Sequence, residues 1–153
     1  QGVSRAPLHL VRVDLATGAV TLTEICGLPN GVIANPPAIR RSGSIAVGYD
    51  SGNGVLAAFS FADDGPLTPL WTCAQDHASH PLRFPDTGEL VTGDHDAERG
   101  MDQVVVLDIA TGAELARADT GSPVQSVLFP SSGFGRDLYL CSFTTLSRVR
   151  VVG

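Results

Sequence analysis

The sequence predicts an all-β chain built from a repeated four-stranded antiparallel unit, and two in-register series carry that prediction. Asp14-Leu-Ala-Thr-Gly18, Phe61-Ala-Asp-Asp-Gly65 and Asp108-Ile-Ala-Thr-Gly112 set their glycines 47 residues apart, twice. Asn35-Pro-Pro-Ala-Ile-Arg-Arg-Ser-Gly43, His80-Pro-Leu-Arg-Phe-Pro-Asp-Thr-Gly88 and Gln125-Ser-Val-Leu-Phe-Pro-Ser-Ser-Gly133 begin 45 residues apart, also twice. Within each copy, short apolar runs are separated by Gly, Pro, Asp and Asn turns, with no helical pattern between them. A period of this length lies between those of two known propeller repeats, so the fold class is a β-propeller of four-stranded antiparallel blades.

The strands follow from the repeats. Residues 8–15 and 20–25 are the outer half of an earlier blade. One blade takes 36–41, 44–50, 54–61 and 67–73, the next 81–85, 89–94, 103–109 and 114–119. The chain closes with three strands near 124–129, 137–142 and 147–152. The 153 residues form one domain, with repeats at about 1–26, 34–73, 79–120 and 123–153. Propellers close with roughly four to eight blades of four strands, so about three blades make an incomplete ring. An open edge strand is a liability, which points to missing chain or a second copy as the completion of the ring. Gln1 as the first residue favours a piece of a longer chain.

Composition narrows the partners. A formal net charge of -6, with no lysine and ten arginines that never cluster, argues against nucleic acid and against anionic membrane surfaces. No apolar run approaches a bilayer span and the first residues lack a signal-peptide pattern, so a soluble chain is expected. Cys26 and Cys73 occupy equivalent places 47 residues apart, too far for a disulfide. Free thiols and a cytoplasmic location follow.

Successive antiparallel strands alternate in direction, so the links between blades and the loops between second and third strands emerge on one face. That face collects Asn30, Asn35, His77, His80 and Gln125 from the links, and Asp50, Asp94, His95 and Asp96 from the loops. Asn35, His80 and Gln125 open the innermost strands of three successive repeats and should point to one axis. Oxygen donors there suit Ca²⁺, an imidazole suits Zn²⁺, and either set could instead hydrogen-bond channel water. A tight hairpin at Asp86-Thr-Gly88 would bring His80 across from Asp94 and His95, where a carboxylate could orient the imidazole as ligand or base. The competing reading makes Asp94-His-Asp96 part of a solvated ten-residue connection.

Leu8-His-Leu-Val-Arg-Val-Asp-Leu-Ala-Thr-Gly18, Leu28-Pro-Asn-Gly31 and Gly43-Ser-Ile-Ala-Val-Gly-Tyr-Asp50 together resemble the gluconolactonase and senescence-marker-protein family, over most of the chain and as the later part of such a protein. The resemblance implies a six-bladed propeller that hydrolyses lactones or related esters with one divalent cation in its channel. It places a metal-binding Asn at Asn35 by register, or at Asn30 by the Pro-Asn-Gly wording. His80 stands where the family has an Asp that both binds metal and takes a proton, and the family's early Glu would lie upstream of Gln1.

These readings give a metal-dependent lactonase-like or esterase-like hydrolase with a divalent metal, Ca²⁺ or Zn²⁺. Asn35, Asn30 and His80 are its metal ligands, His80 and Asp94 its catalytic pair, and Gln125, His95, Asp96 and Asp50 its ligand-binding residues. The alternative is a non-catalytic propeller that binds a small molecule or a protein on the same face. A purely structural scaffold ranks behind both.

Overall fold

A computed structural model of the chain describes residues 9–24, 39–40, 44–50, 54–62, 68–76, 81–84, 87–130, 136–150 and 152. Among the described residues there are thirteen strands and no helix. β1 (His9–Val13) and β2 (Val20–Glu24) form a two-stranded sheet. β3 (Ile39–Arg40), β4 (Ile45–Asp50), β5 (Val55–Ser60) and β6 (Thr68–Ala74) form a second sheet in chain order. β7 (Leu82–Arg83), β8 (Leu90–Asp96), β9 (Met101–Leu107) and β10 (Glu114–Asp119) form a third. β11 (Val127–Pro130), β12 (Asp137–Cys141) and β13 (Leu146–Arg150) complete a fourth, and every pairing is antiparallel.

The strand order agrees with the repeat, and one connection differs. β8 runs on to Asp96 and β9 starts at Met101, so the connection expected between residues 94 and 103 shrinks to the turn 97–100. His95 pairs with Asp102 and Asp96 with Met101 because the ladder is made by backbone groups and does not require apolar side chains. The strand expected at 81–85 is only two residues long, since the Phe84 amide already donates to the Glu89 carbonyl at 3.0 Å to close the hairpin.

The repeated Asp-x-x-Thr-Gly motif has a mechanism. Asp14 Oδ1 accepts from the amides of Ala16 and Thr17 at 2.8 and 3.1 Å, and Asp108 Oδ1 accepts from those of Ala110 and Thr111 at 2.9 and 2.8 Å. The glycine amide then donates to the Asp carbonyl, at 2.7 Å for Gly18 and 2.8 Å for Gly112. These bonds hold both carboxyls below the ordinary carboxylate range. Gly18 and Gly112 have φ of 71° and 74°, the left-handed region that side-chain-bearing residues enter only at a cost. The third copy of the motif lies mostly outside the described residues.

Period-2 alternation divides the third sheet between two cores. Leu90, Val105 and Leu107 pack with Val47, Tyr49, Leu56 and Ala58 of the second sheet. Val91, Val104 and Val106 face the other way, where with Phe84 they meet Leu128, Leu138 and Leu140 of the fourth. The third sheet is therefore packed on both faces. Phe84, Leu56, Leu138 and Val91 are each wholly enclosed, and burying a side chain of this kind contributes about 1.5–3 kcal/mol. Trp71 fixes the approach of the second and third sheets: its Nε1 donates to the Ile109 carbonyl at 2.9 Å while its ring lies against Gly112. Cys73 and Cys141 are free thiols, as the repeat spacing implied for Cys73; Cys26 lies outside the described residues. No helix among the described residues is long and apolar enough to cross a membrane.

Candidate ligand cleft

The two faces of β8 carry different chemistry. Asp94 points towards the second sheet. Its Oδ1 accepts from the Asp76 amide at 3.0 Å and the His95 amide at 2.9 Å, and its Oδ2 pairs with Arg117 of β10 at 2.8 Å. Arg117 also donates to Gln103 Oε1 at 2.6 Å and pairs with Glu114 at 2.9 Å. The bond it donates to Glu114, and then that to Asp94, holds the Arg117 guanidinium above its ordinary value against the opposing effect of burial. Gln75, itself buried, donates to the Gly93 carbonyl at 3.1 Å. Asp94, expected to orient His80 or act as a base, thus has both oxygens committed to fastening residues 75–76 and β10 onto the third sheet.

His95 points towards the fourth sheet. Directly opposite it on β9 stands Asp102, only 1% exposed. Asp102 organises the link that leads into β11. Its backbone carbonyl accepts from the Thr120 amide at 2.9 Å, its amide donates to the Ser122 carbonyl at 2.9 Å, and its Oδ2 accepts from the Ser126 amide at 3.1 Å. Burial pushes its carboxyl up, while the bonds from Ser126, the positive potential of His95 and the bond from Thr120 push it back. Two buried atoms here have no hydrogen-bond partner, His95 Nδ1 and Asp102 Oδ1.

The link and the hairpin after β12 then build a cleft. Ser122, wholly buried, has its Oγ 2.7 Å from the Val124 carbonyl and 3.0 Å from Ser142 Oγ. Ser142 Oγ in turn accepts from the Thr144 and Thr145 amides at 3.2 and 3.0 Å, which shapes the turn that holds Phe143 out in solvent. Between these tethered segments opens a cleft of about 440 Å³ lined by His95, Pro123, Val124, Gln125 and Phe143. Its size falls within the usual range for small-molecule sites, roughly 300–1,000 Å³, and its mix of apolar wall and few polar groups is typical of them. The hydrogen bonds of Ser122, Ser142 and Asp102 set the cleft's shape before any ligand arrives.

A comparison with protein-family models, curated proteins and solved structures returned no match.

Of the residues expected to bind ligand, His95 and Gln125 come together in this cleft. Asp96 ends β8 one residue after His95 and outside the cleft lining, with its Oδ1 accepting from the Arg99 amide at 3.0 Å. Asp50 ends β4 opposite Val55. Asn30, Asn35 and His80 lie outside the described residues. Among the described residues no group of three or more His, Cys, Asp or Glu side chains stands close enough to hold a metal ion. Asp102 and Phe143 were not singled out in the sequence. Counting back by twos from Val106 and Val104 reaches Asp102 and would have put it on the face of Val91 and His95.

Proposed function

We propose that this chain is part of a β-propeller that binds a small molecule, with a partly apolar body, in the cleft between the third and fourth sheets. Support for the propeller comes from the four-stranded antiparallel sheets that recur with the 45- and 47-residue periods and stack face to face. One observation carries the binding reading: an imidazole and an amide, His95 and Gln125, share a preformed cleft with the exposed ring of Phe143. An exposed aromatic ring beside convergent polar groups is an arrangement that selects ligands.

The test is a titration of the ¹⁵N-labelled chain with aromatic and polyol fragments, read as amide shifts. Shifts clustered on residues 122–125, 142–145 and His95 support the reading. Shifts spread over the surface, or confined to other sheets, would contradict it.

A second reading, the metal-dependent lactonase-like or esterase-like hydrolase, is favoured by the family resemblance and by the placing of an imidazole at the cleft. Its metal ligands would be Asn35 or Asn30 with His80, and a bound divalent cation would supply Lewis-acid polarisation of a carbonyl. Asp94 does not fit the role of its base, because Arg117 and two backbone amides already fill the carboxylate. Titration with Ca²⁺, Zn²⁺ and Mn²⁺ discriminates the readings: the hydrolase raises its melting temperature with at least one of them, and the binding module with none.

A further inference from the structure

The unpartnered atoms behind the cleft define what the ligand must offer. His95 Nδ1 and Asp102 Oδ1 are both shut off from solvent and neither has a hydrogen-bond partner. They belong to residues directly opposite each other across β8 and β9, whose Cβ atoms in such a pair stand about 4.5–5.5 Å apart on the same face of the sheet. Asp102 Oδ2 is held by the Ser126 amide at 3.1 Å and lies 3.4 Å from Thr120 Oγ1, so the carboxylate is anchored and its other oxygen is the free acceptor. No hydrogen bond to another described residue holds the imidazole ring of His95, whose backbone amide donates to Asp94 Oδ1 at 2.9 Å. Its remaining nitrogen belongs to the side chain that lines the cleft.

We propose that Asp102 is the positioning residue of the cleft: His95 donates Nδ1–H to Asp102 Oδ1, which leaves the Nε2 lone pair facing the cleft as an acceptor for a ligand hydroxyl. This rests on the cleft reading above and deepens it. A neutral imidazole has one donor and one acceptor nitrogen, and the bond made by one fixes the role of the other. With the donor turned inward, the cleft presents an acceptor at its floor, the Gln125 amide at its side and apolar walls from Phe143, Val124 and Pro123. The ligand class that fits is an alcohol or phenol with a flat apolar body. A carboxylate or ether, which brings only acceptors, would face the Nε2 lone pair without a donor.

The dyad and the ligand class are tested separately. In the ¹⁵N-histidine-labelled chain at about pH 8.5, where an ordinary imidazole is neutral, long-range ¹H–¹⁵N spectra report the tautomer, and His95→Gln assigns the signal. The expected result is the Nδ1–H tautomer in the wild type and a shift towards Nε2–H in Asp102→Asn. Thr120→Val, which loosens the same link without touching the imidazole, should lower the melting temperature and leave the tautomer unchanged. A wild-type Nε2–H tautomer, or one that Asp102→Asn does not alter, overturns the dyad and leaves Asp102 a structural tie alone.

Benzyl alcohol and benzyl methyl ether, in which a methyl group replaces the hydroxyl proton, then probe the cleft. A shift of the His95 Nε2 signal with the alcohol only supports the ligand class, and equal shifts with both overturn it. No shift with either, while the tautomer is as expected, overturns the cleft reading and not the dyad.

Discussion

Asp94 and His95 are consecutive residues of β8 whose side chains serve opposite faces of one sheet. Asp94 reaches Arg117 at 2.8 Å and holds the link at Asp76 to the third sheet, while His95 faces Asp102 and lines the cleft beside Gln125. A strand alternates its side chains, so adjacency in sequence separates them in function. Their neighbourhood in a single Asp-His-Asp run therefore describes no shared site.

The Trp71 contact predicts an unequal pair of glycine substitutions. Gly18→Ala meets nothing within 4 Å and bears only the left-handed backbone cost, about 1–2 kcal/mol. In Gly112→Ala the new Cβ would stand 2.6 Å from the Trp71 ring, adding an overpacking cost of about 1–3 kcal/mol. Urea denaturation should show Gly112→Ala as the more damaging, with a change in Trp71 fluorescence in that variant alone.

The two inter-sheet cores predict comparable losses. Leu56→Ala empties the core between the second and third sheets and should cost about 2–5 kcal/mol. Phe84→Ala empties the core between the third and fourth, and it also removes the ring over which Arg136 sits at 5.5 Å; about 3–5 kcal/mol is expected. Equilibrium unfolding monitors both. A cost below about 1 kcal/mol for either would mean that its pair of sheets is not packed face to face.

Stability should fall in acid. Arg99 holds Asp119 below the ordinary carboxylate value and Arg148 does the same for Asp137, while turn amides hold Asp14 and Asp108 down. The native chain keeps these groups charged at a pH where the unfolded chain has begun to protonate. Their contribution is whole above the ordinary value and is lost as pH falls through the lowered ones. Asp102 acts in reverse: burial raises it, so its contribution is present below the ordinary value and is lost as pH rises through the raised one. Melting temperature against pH should drop on the acid side, and Asp108→Asn should make that drop shallower. An unchanged acid limb in Asp108→Asn would remove the turn carboxylate from the account.

The strand order was legible because turn chemistry is local: an Asp that accepts two amides and a Gly at positive φ close the turns at 14–18 and 108–112 alike. The extent of β8 and β9 was not, because polar residues at 94–96 and 102–103 look like loop although the backbone ladder continues through them. Gln125 and His95, expected on one face because strand direction decides which turns share an end of a sheet, line the same cleft. Asp102 escaped notice because its role depends on an enclosing neighbour, the Ser126 amide 24 residues away, which no local pattern reveals. The partners of Asp94 were likewise invisible, because Arg117 reaches it only once β9 and β10 are paired.

The division of labour between the two faces of β8 is tested most directly by measuring fragment binding and melting temperature in His95→Gln and Arg117→Met. His95→Gln should lose binding at the cleft by about tenfold or more, since a ligand hydrogen bond worth roughly 1.4 kcal/mol is removed, and, beyond the loss of its bond to Asp102, should leave the sheet pairing intact. Arg117→Met should cost about 1–3 kcal/mol of stability, leaving the Asp94 carboxylate without its ion pair, and should leave binding unchanged. Loss of binding in Arg117→Met with the fold intact, or full binding in His95→Gln, would contradict the account.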